Sequence, residues 1–182
     1  AGSAAMMPPT GLPPGALDCE SLQRLLAGEP PLVEGMPDAV AQLQANGIDL
    51  TVRSVAWVAS IGQIGVANAD RLLPATRDLE FDPEGYTHLA PGPYLATLNE
   101  VLHTPPDLII LLWPRSSLLR SGVAVHTAVV DAGYEGRPQV LLSVLNPHGF
   151  RLQQHARIVQ MAAFTLVRPV RQGYRGAYQG LS

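Results

Sequence analysis

Along most of the chain the apolar residues come in short runs rich in valine, leucine and isoleucine, and each run is cut by glycine, proline, asparagine or aspartate. The runs "DLTVRSVAWV" (49–58), "PGPYLATLNEVLHT" (91–104), "DLIILLW" (107–113), "VAVHTAVV" (123–130), "QVLLSVLN" (139–146), "FRLQQHA" (150–156) and "IVQMAAFTLV" (158–167) predict strands. Such spacing predicts an all-β domain: a sandwich, jelly roll or barrel. One segment breaks the pattern. In "DCESLQRLLAG" Asp18 can cap a helix, Leu22, Leu25 and Leu26 share one helical face, and Gly28 stops it, so one short N-terminal helix precedes the strands. No repeat of solenoid period is present, and the Pro-rich "PPTGLPPG" is the one low-complexity tract.

Length then bounds the architecture. A chain of 182 residues suits one compact domain with its own core. That domain is expected over 8–170, followed by a polar, glycine-rich and mobile tail over 171–182. The opening "AGSAAM" lacks the basic and apolar regions of a signal peptide and reads as a cloning remnant, with Met6 or Met7 as the native start, so residues 1–7 are set aside. A net charge of -3 with only 15% charged residues excludes the basic stripe that a nucleic acid polymer requires. Cys19 is the sole cysteine, which excludes an internal disulfide and fits a reducing, cytoplasmic setting. The apolar run "LIILLW" stops at Pro114-Arg115, well short of the roughly 18–20 residues of a membrane span, so no membrane association is expected.

Several chemistries fall away on motif grounds. The chain has no GxxxxGK[ST] loop, no GxGxxG, no HExxH, no GxSxG and no HxE with PCxxC. Histidines 88, 103, 126, 148 and 155 show no metal-ligand spacing. What remains is "LLWPRSSLLRSGVAVHTAVVDAGYEG" (111–136), where polar groups interrupt apolar runs. Arginine offers a planar fork of donors that matches phosphate oxygens, and neighbouring hydroxyls can donate beside it, which suits Arg115, Ser116 and Ser117 to a phosphate chain. The same arginine could simply pair with an acid such as Asp49, and Asp131 could simply form a hairpin turn in Asp-Ala-Gly-Tyr.

The order of five segments narrows these alternatives. "NGIDLTV" (46–52), "PRSSLLRSG" (114–122), "VVDAGYEGR" (129–137), "ARIVQM" (156–161) and "YRGAYQG" (174–180) together resemble the dUTPase and dCTP deaminase superfamily, closest to its archaeal-type dUTPases. The helical "LDCESLQRLLAG" extends the resemblance over most of the chain. The resemblance implies a distorted β-barrel or jelly roll, a homotrimer with active sites at its subunit interfaces, and hydrolysis of dUTP to dUMP and pyrophosphate with magnesium held mainly by the substrate phosphates.

Position by position, it implies that Asp131 orients and deprotonates the attacking water, and that Tyr134 lies under the deoxyribose with Val130 as a further nucleoside contact. Arg115, Ser116, Ser117 and Gln160 would hold phosphate. Asp49 would support the site by pairing with the motif arginine, and Arg120 matches a further arginine of the deaminase branch. Arg175, Tyr178 and Gln179 match the tail of that branch. Ala156 stands where the family usually has a glycine.

One position separates the branches. A deaminase needs a carboxylate to move protons between water and the leaving amine, and the family places it ten residues past the aspartate, where this chain has Leu141. Glu135 lies nearer the turn at a variable position. The sequence therefore favours a dUTPase, with a dCTP deaminase or bifunctional enzyme, and a non-catalytic nucleotide-binding trimer, as the competing expectations.

Overall fold

A computed structural model describes residues 7–181, so the opening "AGSAAM" lies outside the described residues. In chain order the elements are β1 (Gly15–Ala16), α1 (Cys19–Leu26), β2 (Val33–Glu34), α2 (Ala39–Gln42), β3 (Leu43–Gln44), β4 (Gly47–Val58), a 3-10 turn (Asn68–Asp70), β5 (Thr76–Leu79), β6 (Tyr86–Leu89), β7 (Gly92–Leu98), β8 (Val101–His103), β9 (Leu108–Pro114), α3 (Ser116–Arg120), β10 (Val123–His126), β11 (Glu135–Gly136), β12 (Gln139–Val144), β13 (Phe150–Gln153) and β14 (Arg157–Thr165). Strand accounts for 41% of residues and helix for 11%, so the fold is all-β, a sheet curled into a half-barrel.

The curl depends on β4. This strand is 12 residues long, and its first half pairs antiparallel with β14 while its second half pairs with β7 and β5. The register slips between Val52 and Ser54, and again between Arg157 and Val159 on β14. Such bulges bend a strand and raise its twist, which lets one strand serve both halves of the sheet. Beyond β4 the sheet continues through β7 and β12 to β10, while β9 covers the other edge of β14. Two small sheets, β11-β8-β2 and β13-β6, accompany the main one.

Alternation places the core. On β7, Tyr94, Ala96 and Leu98 point inward, and on β12 Val140, Leu142 and Val144 meet them. The intervening Leu95 and Leu141, paired in register, face the opposite side. Residues 48–52 of β4 are buried on both faces, which is why Asp49 and Thr51 must find partners inside the protein. Helix α1 forms as its sequence predicts: Asp18 accepts a hydrogen bond from the Ser21 amide at 2.8 Å, and Leu22 is fully buried.

The structure departs from the sequence pattern at several points, among them a second short helix, α2, and a strand β10 that ends at His126 where the run 123–130 predicted a longer one. Strands β5 and β6 arise from the polar "TRDLEFDPEGYTHL", whose charges mask its alternation. The segment 91–104 splits into β7 and β8 at Asn99-Glu100, because the Glu100 carboxylate turns inward to accept hydrogen bonds from the Thr51 amide, Thr51 Oγ1 and Gln42 Nε2. The polar Arg-Ser-Ser stretch opens the additional helix α3.

Candidate active site

The segment after β10 is fixed by its backbone. Val130 exchanges two hydrogen bonds of 3.0 Å with Ile110 of β9. A tight turn follows, closed by the Tyr134 amide donating to the Asp131 carbonyl at 3.1 Å. Gly133 occupies its third position with φ +79, the left-handed value a type II turn demands there. Cross-bonds between Thr104 and this turn, from the Gly133 amide at 3.0 Å and to the Tyr134 carbonyl at 2.9 Å, tie it to the loop after β8. The result buries Ala132 and Tyr134 and leaves the Asp131 side chain exposed.

Asp131 rims a cavity of about 840 Å³. Its wall is the outward face of the sheet, with Val58, Leu95 and Leu141, and its polar points include Thr76 and Gln139. Val130 and Tyr134 complete the hairpin side. Among the described residues Asp131 is the only acid of the lining, and the apolar Leu141 shares the cavity with it. Glu135, two residues past the turn glycine, is absent from that lining and places Oε1 3.5 Å from His103 Nδ1.

The tail, which composition reads as mobile, lies against this hairpin. Tyr174 donates its amide to the Ala132 carbonyl at 2.9 Å and meets the Tyr134 ring edge-on, 5.6 Å between centroids. Gln179 Nε2 donates to the Gly133 carbonyl at 3.2 Å, and Gln179 Oε1 accepts from the Glu135 amide at 3.3 Å. Tyr174, Tyr178 and Leu181 thereby line the cavity, whereas Arg175 is exposed and outside the lining. Burial, reinforced by Tyr174, pushes the Tyr134 hydroxyl above its ordinary value, so that ring stays neutral at physiological pH.

A second group gathers where β9 runs into α3. Arg115 Nε lies 3.0 Å from Asp49 Oδ2, and Arg157 Nη1 lies 3.4 Å from the same oxygen. Asp49 is buried, and burial pushes its carboxyl above the ordinary 3.8, opposed by the two guanidiniums. Gln160 is the register partner of both Asp49 and Trp113, which sets it beside this pair on β14. Ser116 and Ser117 open α3 and are exposed, as is Arg120 at its end. The Asp49 pairing foreseen from the sequence is thus present, and Arg115 still keeps about a third of its side chain exposed.

The chain therefore carries two clusters. One unites Val130, Asp131, Tyr134 and Tyr178, with Gln179 behind them. The other unites Asp49, Arg115, Ser116, Ser117 and Gln160, and none of these lines the cavity. Arg157 and Tyr174 escaped the sequence reading. Arg157 stands next to Ala156, and Tyr174 stands four residues before Tyr178, so a pairing test with Asp49 and the Tyr-x-x-x-Tyr spacing were the available signals. Ala156, where the family usually has a glycine, follows a turn closed by its amide on the Gln153 carbonyl at 3.1 Å. The left-handed residue is His155, φ 64, the only non-glycine with positive φ among the described residues. His155 takes the glycine-like position because its amide bonds the Val52 carbonyl at 2.8 Å across the β4 bulge.

Known proteins share this architecture. Residues 17–166 match the family model described as dCTP deaminase-like. A relative from Methanosarcina mazei, named a probable deoxyuridine 5'-triphosphate nucleotidohydrolase, is 40% identical over 163 residues, which cover 90% of this chain and 95% of the relative. A deoxyuridine 5'-triphosphate nucleotidohydrolase from Methanocaldococcus jannaschii is 37% identical over 141 residues, covering 76% of this chain and 88% of its own. Among solved structures, the 2'-deoxycytidine 5'-triphosphate deaminase of Agrobacterium tumefaciens superposes with a TM-score of 0.67 at 20% identity, over 85% of this chain and 49% of that one. The chain thus spans about half the length of that deaminase, and the likeness supports the fold.

Proposed function

The chain belongs to the dCTP deaminase-like family, and within it we propose that this protein is a dUTP pyrophosphatase acting as a homotrimer. The observation that carries the reading is the cavity lining: one carboxylate, Asp131, and a leucine at 141 where the deaminase branch has its proton-shuttling acid.

Asp131 takes a proton from a water placed at the cavity rim. The water oxygen bonds to the α-phosphorus, the bond from that phosphorus to the bridging oxygen breaks, and pyrophosphate leaves with the electron pair. Arg115, Ser116, Ser117 and Gln160 hold the phosphates, the fork of Arg115 matching their oxygens. Asp49 aims that fork, and Tyr134 and Val130 receive the nucleoside. Magnesium, held mainly by the three phosphates of the substrate beside Arg115, Ser116, Ser117 and Gln160, would supply neutralisation of phosphate charge.

The separation of the two clusters supports the trimer. Residues assigned to phosphate do not line the cavity assigned to the nucleoside, and a site shared between subunits brings Arg115 of one copy to Asp131 of the next. Arg120 at the end of α3 and Arg175 in the tail are exposed and available to a neighbouring copy. A cytoplasmic setting accords with the lone Cys19, and no helix among the described residues is long and apolar enough to cross a membrane.

Hydrolysis in ¹⁸O-labelled water tests the assigned bond. The label is expected in dUMP. Label in pyrophosphate would reject attack at the α-phosphorus.

A further inference from the structure

His103 sits on the middle strand of the small sheet β11-β8-β2 and is only 8% exposed. Its ring meets a carboxylate at each nitrogen: Nε2 lies 3.0 Å from Glu34 Oε2 on β2, and Nδ1 lies 3.5 Å from Glu135 Oε1 on β11. These two acids face the ring from the strands on either side, while the Arg137 guanidinium beyond β11 is directed to the carbonyls of Leu98 and Asn99. Glu135 directly follows the turn that presents Asp131 and Tyr134, and it stands opposite His103 in the register.

Strands β11 and β2 are each two residues long. Their few ladder bonds add little to the backbone bonds that tie the turn to Ile110 and Thr104, and cross-strand side-chain pairs add a further hold on its far side. We propose that His103 is a positioning residue for the Asp131–Tyr134 turn, holding β11 to β2 through its two carboxylate partners. This inference rests on the reading of Asp131 as the base and Tyr134 as the nucleoside platform.

The chemistry of the ring makes the role measurable. An imidazolium donates from both nitrogens and satisfies Glu34 and Glu135 together, whereas neutral imidazole carries one N–H and serves one of them. Only the doubly donating ring closes both contacts at once.

Two variants test this: His103→Asn, and the double variant Glu34→Ala/Glu135→Ala, which alters only partly exposed side chains. With magnesium and dUTP, kcat falls about tenfold in both, the scale expected when a catalytic group is slightly misplaced. Binding of pyrophosphate, gripped at Arg115, stays within about twofold. Hydrogen exchange of amides 132–136 quickens while that of β4 and β14 is unchanged. Wild-type turnover and exchange in the double variant, or exchange quickened throughout β4 and β14, would each overturn the proposal. Should the wild-type protein release no pyrophosphate, the dUTPase reading fails separately, and the exchange comparison still decides whether His103 holds the turn.

Discussion

Leu141 faces the cavity that Asp131 rims, ten residues further along the chain on the strand that follows the turn. The two side chains share one space and differ in what they can do there. Asp131 can accept a proton from water, and Leu141 can move none. Chemistry at phosphorus needs the first alone, whereas replacement of a ring amine also needs an acid at the second position.

Burial raises the Asp49 carboxyl, and Arg115 and Arg157 only partly relieve the cost of holding its charge there. Stability tied to a raised carboxyl is fully present below the unfolded value near 3.8 and is lost as the pH rises through the folded value. Asp49→Asn should thus keep global stability within about 1 kcal/mol at pH 7, with the difference shifting in favour of the wild type as pH falls toward 4. The same substitution should weaken binding of pyrophosphate severalfold, because Arg115 loses its partner. Urea melts at three pH values and a titration check both parts.

Much of this site was legible because its residues are local in sequence. Arg115 to Ser117 and Asp131 to Tyr134 form short contiguous motifs, and the apolar runs 91–104 and 139–146 marked the segments that hold β7 and β12. What escaped depends on long-range pairing. Arg157 matters because a bulged register brings it to Asp49, 108 residues away. His103 matters because three short strands converge on it. The helix α3 was hidden because Arg-Ser-Ser reads as a loop until β9 presents it.

His155 holds a left-handed backbone that costs an L-residue on the order of 1 kcal/mol. Replacement by glycine relieves that cost. The glycine variant forgoes the hydrogen bond between Asn99 Nδ2 and His155 Nδ1, 3.0 Å long, but the same amide group also bonds Thr51 Oγ1 and the Val52 carbonyl. His155→Gly is expected to gain roughly 0.5–1 kcal/mol in a denaturant melt, and His155→Val to lose more than 1 kcal/mol, about the further strain of a β-branched residue there.

The tail completes the cavity with Tyr174, Tyr178 and Leu181 and adds nothing to the main sheet. Deleting residues 171–182 should leave the fold and its melting point nearly unchanged and raise KM for dUTP about tenfold, the scale of one lost aromatic contact and its hydrogen bonds. Steady-state kinetics beside circular dichroism checks this.

Sites shared between subunits predict complementation. Arg115→Ala and Asp131→Asn proteins should each be nearly inactive, and co-refolding them in equal amounts should restore about a quarter of wild-type turnover, because one intact site then combines Asp131 of one copy with Arg115 of its neighbour. A mixture no more active than its parts would place both residues in one subunit's site. Light scattering on the same samples should give the mass of three chains.

The most direct test of dUTPase over deaminase chemistry is the product of two reactions run side by side. Purified protein with magnesium is incubated with dUTP and, separately, with dCTP, and the nucleotides are resolved by chromatography while pyrophosphate and ammonia are assayed. The expected products are dUMP and pyrophosphate from dUTP, with no ammonia from dCTP. Accumulation of dUTP or dUMP from dCTP, or intact dUTP in the first reaction, would contradict the assignment.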